Sequence, residues 1–158
     1  MFTVEDRKER MIVLLEEMKM NYGIYEIDTY KVFRMSMTLS EDSQISNIDM
    51  ILKVSHDDIV ILSTCDIKTS AKNRVRMSEY INRANYGLLN GNFEFDFNEG
   101  TIRFKIYLDI KEQEITKYLL FKSIVLSNKM WERYGNGAMR VLGSEDEPAE
   151  IIRIVELD

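Results

Sequence analysis

The strongest constraint on the fold is the segment NGNFEFDFNEGTIRFKIYLD, residues 90–109, in which apolar and polar side chains alternate along two runs separated by a turn. Alternation with a period of two is typical of a β-strand with one buried face. With residues 98–101 as the loop, the sequence predicts a hairpin. The predicted apolar pairs are Phe97 with Ile102, Phe95 with Phe104 and Phe93 with Ile106, and the predicted ion pairs are Asp96 with Arg103 and Glu94 with Lys105. A shift by one residue would set phenylalanines against basic residues, so the pattern favours this pairing.

Three further strands are predicted before the hairpin, at residues 30–39, 47–54 and 58–65. The last of them is apolar on both faces, with Ile59 and Ile61 on one face and Val60 and Leu62 on the other. A strand that is covered on one side only should alternate between apolar and polar residues. We therefore predict that residues 58–65 form a central strand and that both of its faces are covered.

Four helices are predicted around these strands, at residues 4–20, 70–87 and 111–134 and in a short segment that begins near Pro148. The predicted N-terminal signals are Thr3 with Asp6, Ser70, and Asp109 with Glu112, and the predicted C-terminal signals are Gly23, Gly87 and Gly135. The resulting order of elements is α-βββ-α-ββ-α-α. Because the strands come in hairpin groups, the sequence predicts an α+β fold with a single antiparallel five-stranded sheet and helices packed mainly on one face.

Length and charge limit the possible functions. The 158 residues contain no repeat or linker, which predicts one domain over residues 1–158. The net charge of −6 argues against nucleic-acid binding, because phosphate groups require a basic face. There is one cysteine, no signal-peptide pattern, and no run of the ~20 apolar residues that a membrane span requires. We therefore expect a cytoplasmic protein that binds neither nucleic acid nor membrane.

The sequence predicts no catalytic, cofactor-binding or metal-binding residues. His56 lies beside two aspartates in a polar turn, and we interpret it as a solvated turn residue because a zinc site needs three or four ligands at known spacings. Cys65 lies beside Asp66, whose charge would raise the pKa of a thiol, so we interpret it as a small hydrophobic residue. Residues 96–100 lack the glycine and glutamate of a calcium loop at the required positions. We therefore expect no enzyme activity and no cofactor.

Two segments carry a family resemblance. Residues 80–109 combine a helix, a small polar turn and a glycine-turned hairpin, and residues 133–156, RYGNGAMRVLGSEDEPAEIIRIVE, close a long helix and begin a final one. The motif positions are Asn82, Asn85, Gly91, Phe93 and Gly100. In these features the chain resembles the YbjN family of bacterial proteins, which are proposed to act as sensory-transduction regulators. The resemblance implies a single YbjN-like domain with the fold of type III secretion chaperones, small acidic homodimers that bind extended segments of other proteins. It implies no catalytic residue.

These features predict a non-enzymatic regulatory or chaperone-like module that binds proteins as a homodimer, with a second copy and a client protein as partners. The predicted partner-binding residues are Val60, Leu62, Trp131 and Tyr134. One alternative is a small-ligand sensor with a pocket between sheet and helices, near Asn82 and Asn85, although asparagines near a helix end often only satisfy backbone groups of neighbouring loops. Another is an enzyme with an unfamiliar site, which would need several ionisable groups converging on an apolar pocket.

Overall fold

The computed structural model describes residues 2–157 of the chain. This part of the chain contains four α-helices and six β-strands. In chain order they are α1 (Val4–Glu17), β1 (Gly23–Ile27), β2 (Tyr30–Thr38), β3 (Asn47–Val54), β4 (Asp58–Lys68), α2 (Arg74–Asn85), β5 (Asn92–Phe95), β6 (Thr101–Asp109), α3 (Lys117–Gly143) and α4 (Pro148–Leu157). The strands form one antiparallel sheet in the spatial order β1-β2-β3-β4-β6-β5. The predicted α+β class and the central position of β4 are confirmed.

The prediction of five strands is wrong, because the sheet has a sixth strand, β1. It pairs with β2 across a tight turn in which Asp28 adopts a left-handed conformation with a φ of 53°. The five residues of β1, GIYEI, do not alternate between apolar and polar side chains, so the sequence gives no strand period there. The interpretation of Gly23 as a helix stop also concealed it, since α1 ends at Glu17 and Gly23 begins the strand.

The predicted pairing of the β5–β6 hairpin is wrong by two residues. Phe95 lies opposite Ile102, and Phe93 lies opposite Phe104. Because the shift is even, every side chain stays on its predicted face of the sheet. The predicted ion pair of Glu94 with Lys105 is present, whereas Arg103 pairs with Glu94 instead of Asp96.

The turn at Asp96 explains this shift. The Asp96 N–H donates to the carbonyl of Thr101 at 2.9 Å, and the Asp96 carbonyl accepts from the Gly100 N–H at 2.7 Å. The Asp96 carboxylate also accepts from the backbone N–H groups of Asn98 and Glu99. An aspartate that caps a turn in this way ends the strand before Phe97, so the loop occupies residues 96–100.

The long helix α3 begins and ends later than the sequence predicted. Thr116 caps its first turn by accepting from the Leu119 N–H at 3.1 Å, whereas the Asp109 carboxylate accepts from the Lys111 N–H in a separate turn. Gly135 lies inside α3 rather than at its end. A Cβ atom at position 135 would lie 2.5 Å from Cδ1 of Ile45, so this glycine serves close packing and not helix termination.

The other helix boundaries are closer to the prediction. The capping box of Thr3 and Asp6 at the start of α1 is confirmed. The helix α2 is shorter than the predicted residues 70–87, because a 3₁₀ turn at Ala71–Asn73 precedes it. The final helix begins at Pro148 as predicted.

The helices pack against one face of the sheet, which we call the inner face. Buried apolar side chains from all four helices form one cluster with inner-face side chains of the sheet, among them Phe33, Met50, Leu52, Ile59, Ile61, Phe104 and Ile106. Burial of such side chains contributes about 1.5–3 kcal/mol each to folding. The opposite face, which we call the outer face, places none of its apolar side chains in this cluster, so no described helix covers it.

Candidate interaction surface

Six apolar side chains on the outer face form a group that we call the outer patch. It comprises Tyr25 on β1, Val32 on β2, Ile51 on β3, Val60 and Leu62 on β4, and Tyr107 on β6. The patch therefore extends over five of the six strands. Two of its members, Val60 and Leu62, are predicted partner-binding residues.

The strand register brings the members of the patch together in two rows. In the first row, directly opposed residues run across the sheet in the order Tyr25, Val32, Lys53, Val60, Tyr107. In the second row, Ile51 lies opposite Leu62. Residues two apart along a strand are separated by about 6.8 Å, so side chains of the two rows are neighbours.

The outer patch differs from an ordinary solvated sheet face in having large apolar side chains that are exposed to solvent. Tyr25 and Tyr107 are 56% and 57% exposed, Val32 is 3% exposed, and the other three members are half-buried by their neighbours. Within residues 2–157 the helices cover only the inner face of β4, so the predicted cover of its second face would have to come from outside this part of the chain. An antiparallel sheet with one face in water normally carries polar residues on that face, and a contiguous apolar patch is typical of an interaction site.

Charged side chains at the border of the patch are mostly neutralised within the sheet. The Arg34 guanidinium donates to the Asp49 carboxylate at 3.2 Å, and Glu94 accepts from both Arg103 and Lys105. Burial alone would raise the pKa of Glu94, but these hydrogen bonds to Lys105 and Arg103 hold it below its usual value. A partner that contacts this border therefore meets paired charges of both signs.

Lys53 is the one charged side chain inside the first row of the patch, between Val32 and Val60. Its ammonium lies 5.9 Å from the ring centroid of Tyr30. A lysine of this kind can lay its aliphatic stem along an apolar surface and keep its charge at the edge. Lys53 is thus compatible with burial of the side chains around it.

The structure does not bring the four predicted partner-binding residues together. Trp131 and Tyr134 lie on the inner side of the sheet, only 1% and 3% exposed. The Trp131 indole N–H donates to the Ser63 hydroxyl at 2.8 Å, and Ser63 shares a 2.6 Å hydrogen bond with Ser127. Both aromatic rings also pack edge-on against Phe93. These two residues belong to the core, and we assign them no partner contact.

The family-motif residues are also structural. The Asn85 amide donates to the carbonyl of Phe93 at 2.8 Å and accepts from its N–H at 2.7 Å. It thereby supplies the hydrogen bonds that a neighbouring strand would give to the edge strand β5. Gly91 and Gly100 have φ angles of 77° and 73°, which favour glycine, whereas the side chain of Asn82 is exposed.

The candidate reactive residues show no assembled chemistry. His56 accompanies Asp57 in the turn between β3 and β4, with Nδ1 2.7 Å from the aspartate oxygen. Burial, with the charge of Asp66 as a smaller cause, raises the pKa of the Cys65 thiol to about 11, so the thiol is not activated. Within residues 2–157 no three His, Cys, Asp or Glu side chains group as metal ligands would.

Four of the six residues of the outer patch were not predicted to bind a partner: Tyr25, Val32, Ile51 and Tyr107. Tyr25 belongs to the strand that was not predicted, and Val32 and Tyr107 share their strand faces with basic residues, which makes those faces look polar in the sequence. A usable signal was present in β2, where Tyr30 and Val32 continue the outer face as apolar residues before Arg34. Aromatic and β-branched residues on the solvent side of a strand indicate that this side is not fully solvated.

Comparisons with known proteins find similarity at the level of the fold only. No protein-family model matches the chain, and no curated protein matches it. Three chains of solved structures do match. Among them is the crystal structure of YbjN from E. coli, a proposed transcription regulator, with a TM-score of 0.54 and 12% identity over 86% of this chain and 89% of that chain. The expected resemblance to YbjN is confirmed at the level of the fold.

None of the helices in residues 2–157 is both long enough and apolar enough to cross a lipid bilayer.

Proposed function

We propose, from the fold that this chain shares with YbjN and from its uncovered sheet face, that it is a non-enzymatic, cytoplasmic regulatory or chaperone-like module that binds proteins as a homodimer. The outer patch is the proposed dimer interface, and a client or regulatory protein is the second partner. The observation that carries the proposal is the row from Tyr25 to Tyr107, in which four of five opposed residues are apolar on a face without a helix.

A second copy suits this face for three reasons. Two sheets can pack face to face with their apolar side chains interdigitating, about 10 Å apart. In a dimer with a two-fold axis, each copy presents the same outer patch to the other. The charges at the border of the patch include both signs, so they can be complementary between the two copies. The size is also adequate. The strands are 4 to 11 residues long, and at about 3.4 Å per residue and about 4.8 Å between strands the whole outer face covers roughly 750 Å², close to the about 800 Å² per partner of a standard interface.

Light scattering during size-exclusion chromatography tests the proposal. The wild-type chain, 18.6 kDa, should elute with twice that mass. Val60→Asp places a carboxylate in the patch of each copy and should give the mass of one chain. The matched control is Val75→Asp, because Val75 is a valine on α2, 69% exposed and outside the sheet, and this variant should remain a dimer. A wild-type chain that stays monomeric at high concentration would remove the dimer proposal.

One observation favours the alternative of a small-ligand sensor, at a place other than the predicted one near Asn82 and Asn85. A cavity of about 390 Å³ lies where the end of β4 meets α3, lined in part by Ile45, Cys65, Ile67, Met139 and Leu142. Its size falls within the usual range of ligand pockets. A screen of metabolites for thermal stabilisation tests this alternative, because a ligand that binds only the folded chain raises its melting temperature. A stabilising metabolite whose effect disappears in Leu142→Trp, which would fill the cavity, would support the sensor function.

A further inference from the structure

A groove on the helical layer, between α3 and α4, is not used by the proposed dimer. We call it the α3–α4 groove. It has a volume of about 830 Å³ and is open to solvent. Its lining includes Lys129, Glu132, Arg133, Met139 and Arg140 from α3 and Ile151, Ile154 and Val155 from α4.

The floor of the groove is apolar and only partly buried. Ile151 is fully buried, whereas Met139, Ile154 and Val155 are each partly exposed to solvent in the groove. These side chains are therefore not fully shielded by the packing of α3 against α4. An apolar floor of this kind gains free energy when another apolar surface covers it.

The rim of the groove is basic although the chain carries a net charge of −6. Lys129, Arg133 and Arg140 lie four and seven residues apart, which places them on one side of α3. Arg140 is held by Asp146 at 2.7 Å, but neither Lys129 nor Arg133 is part of an ion pair in the described chain. The carboxylate of Glu132, which also lines the groove, accepts from the Ser40 N–H at 2.9 Å and forms no ion pair with either cation in the described residues. Two cations are thus available to an anionic occupant.

We propose that the α3–α4 groove binds an acidic amphipathic helix of a partner protein. Apolar side chains of that helix would cover Ile154, Val155 and Met139, and its carboxylates would pair with Lys129 and Arg133. A groove between two helices accepts the side-chain ridge of a third, with anchors spaced three and four residues apart. The residues from 129 to 143 rise about 21 Å along α3, which matches a partner helix of about 14 residues.

The shape of the groove favours a helix over a small amphiphile. A small-molecule site normally encloses most of its ligand, whereas this groove would leave one side of an aliphatic chain in water. A partner helix can keep its polar side in water and bury only its apolar side. The inference rests on the proposed function in assuming a protein-binding module, but it uses a different surface from the dimer.

The test uses a panel of fluorescent 15-residue helical peptides with leucine or isoleucine at helical spacing and glutamates beside them. Each peptide has a counterpart in which lysine replaces every glutamate. The wild-type chain of residues 1–158 should bind acidic members more tightly than their counterparts, with an affinity that falls as salt is added. The Lys129→Glu/Arg133→Glu variant should weaken that binding by roughly tenfold. Lys111→Glu, a reversal at an exposed loop lysine away from the groove, is the control and should bind normally.

Three outcomes would overturn the inference. In the first, acidic and basic peptides bind equally well. In the second, the acidic peptides still bind the Lys129→Glu/Arg133→Glu variant as tightly as the wild type. In the third, the chain binds dodecanoate, added as a small anionic amphiphile, but binds neither set of peptides. The two proposals can fail separately. A wild-type monomer that binds acidic peptides through Lys129 and Arg133 keeps the groove and removes the dimer, whereas a dimer without peptide binding does the opposite.

Discussion

Val60 on β4 lies directly opposite Tyr107 on β6, on the outer face of the sheet, and no described helix covers either side chain. Tyr107 is 57% exposed and Val60 is half-buried. Cross-strand aromatic and β-branched pairs stabilise a sheet, but a solvated face does not normally need a whole row of them. The proposed homodimer gives that row its physical role.

The position of Trp131 gives a prediction that uses the only tryptophan of the chain. Its side chain is 1% exposed on the inner side of the sheet, so dimer formation through the outer face should not change its surroundings. Acrylamide should quench its fluorescence weakly, and equally in the wild type and in Val60→Asp. Stronger quenching in a folded Val60→Asp variant would instead place Trp131 at the interface.

Asn85→Ala should destabilise the chain by about 1–3 kcal/mol, because the N–H and carbonyl of Phe93 each lose a hydrogen-bond partner. Urea unfolding measures the change. Asn82→Ala is the matched control, since its side chain is exposed, and it should change the free energy of unfolding by less than about 0.5 kcal/mol. Equal effects of the two substitutions would show that Asn85 does not brace β5.

Gly100→Ala should destabilise the chain by about 2 kcal/mol or more, since position 100 has a left-handed φ of 73°. An added Cβ would also lie 2.2 Å from the carbonyl oxygen of Thr69. Gly143→Ala is the control: no atom lies within 4 Å of its Cβ position, and it should be neutral or slightly stabilising at the end of α3. The melting temperature should therefore fall for Gly100→Ala and stay the same or rise slightly for Gly143→Ala, and a neutral Gly100→Ala would contradict the described turn.

The Cys65 thiol predicts a loss of stability in alkali. Burial raises its pKa in the folded chain from an ordinary value of about 9 to about 11. Below pH 9 both states keep the proton, whereas between pH 9 and 11 the unfolded state loses it first. The free energy of unfolding should therefore fall as pH rises through this window. Urea unfolding from pH 8 to 10 should show a shallower fall for Cys65→Ala, because every other titrating group is common to the two proteins. Identical slopes would mean that the thiol is not buried as described.

The sequence predicted those parts of the fold that depend on local periodicity. The alternation of β2, the apolar runs of β3 and β4 and the capping box of α1 are local signals, and they appear in the structure close to where they were expected. The features that it missed depend on contacts between distant residues. Gly135 looks like a helix stop until Ile45 is known to pack against it, and Asp96 looks like a strand residue until its turn is seen.

The outer patch likewise depends partly on local sequence signals and partly on contacts between residues that are distant in the sequence. Two apolar faces on β4 were visible in the sequence, but apolarity alone could not show which face the helices cover. Trp131 and Tyr134 are residue types that are common at protein interfaces, yet the packing of α3 against the sheet buries both of them. The outer patch becomes visible only when Tyr25, Val32 and Tyr107 are placed beside Val60 by strand pairing.

Hydroxyl-radical footprinting of the tyrosines tests the central claim most directly, by comparing the wild type with Val60→Asp at the same concentration. Tyr25 and Tyr107 lie in the outer patch, and Tyr86 and Tyr118, 90% and 73% exposed, lie outside it as internal controls. The account predicts that Tyr25 and Tyr107 react more slowly in the wild type than in the variant, while Tyr86 and Tyr118 react equally in both. Equal reactivity of Tyr25 and Tyr107 in the two proteins would contradict a dimer joined through this face.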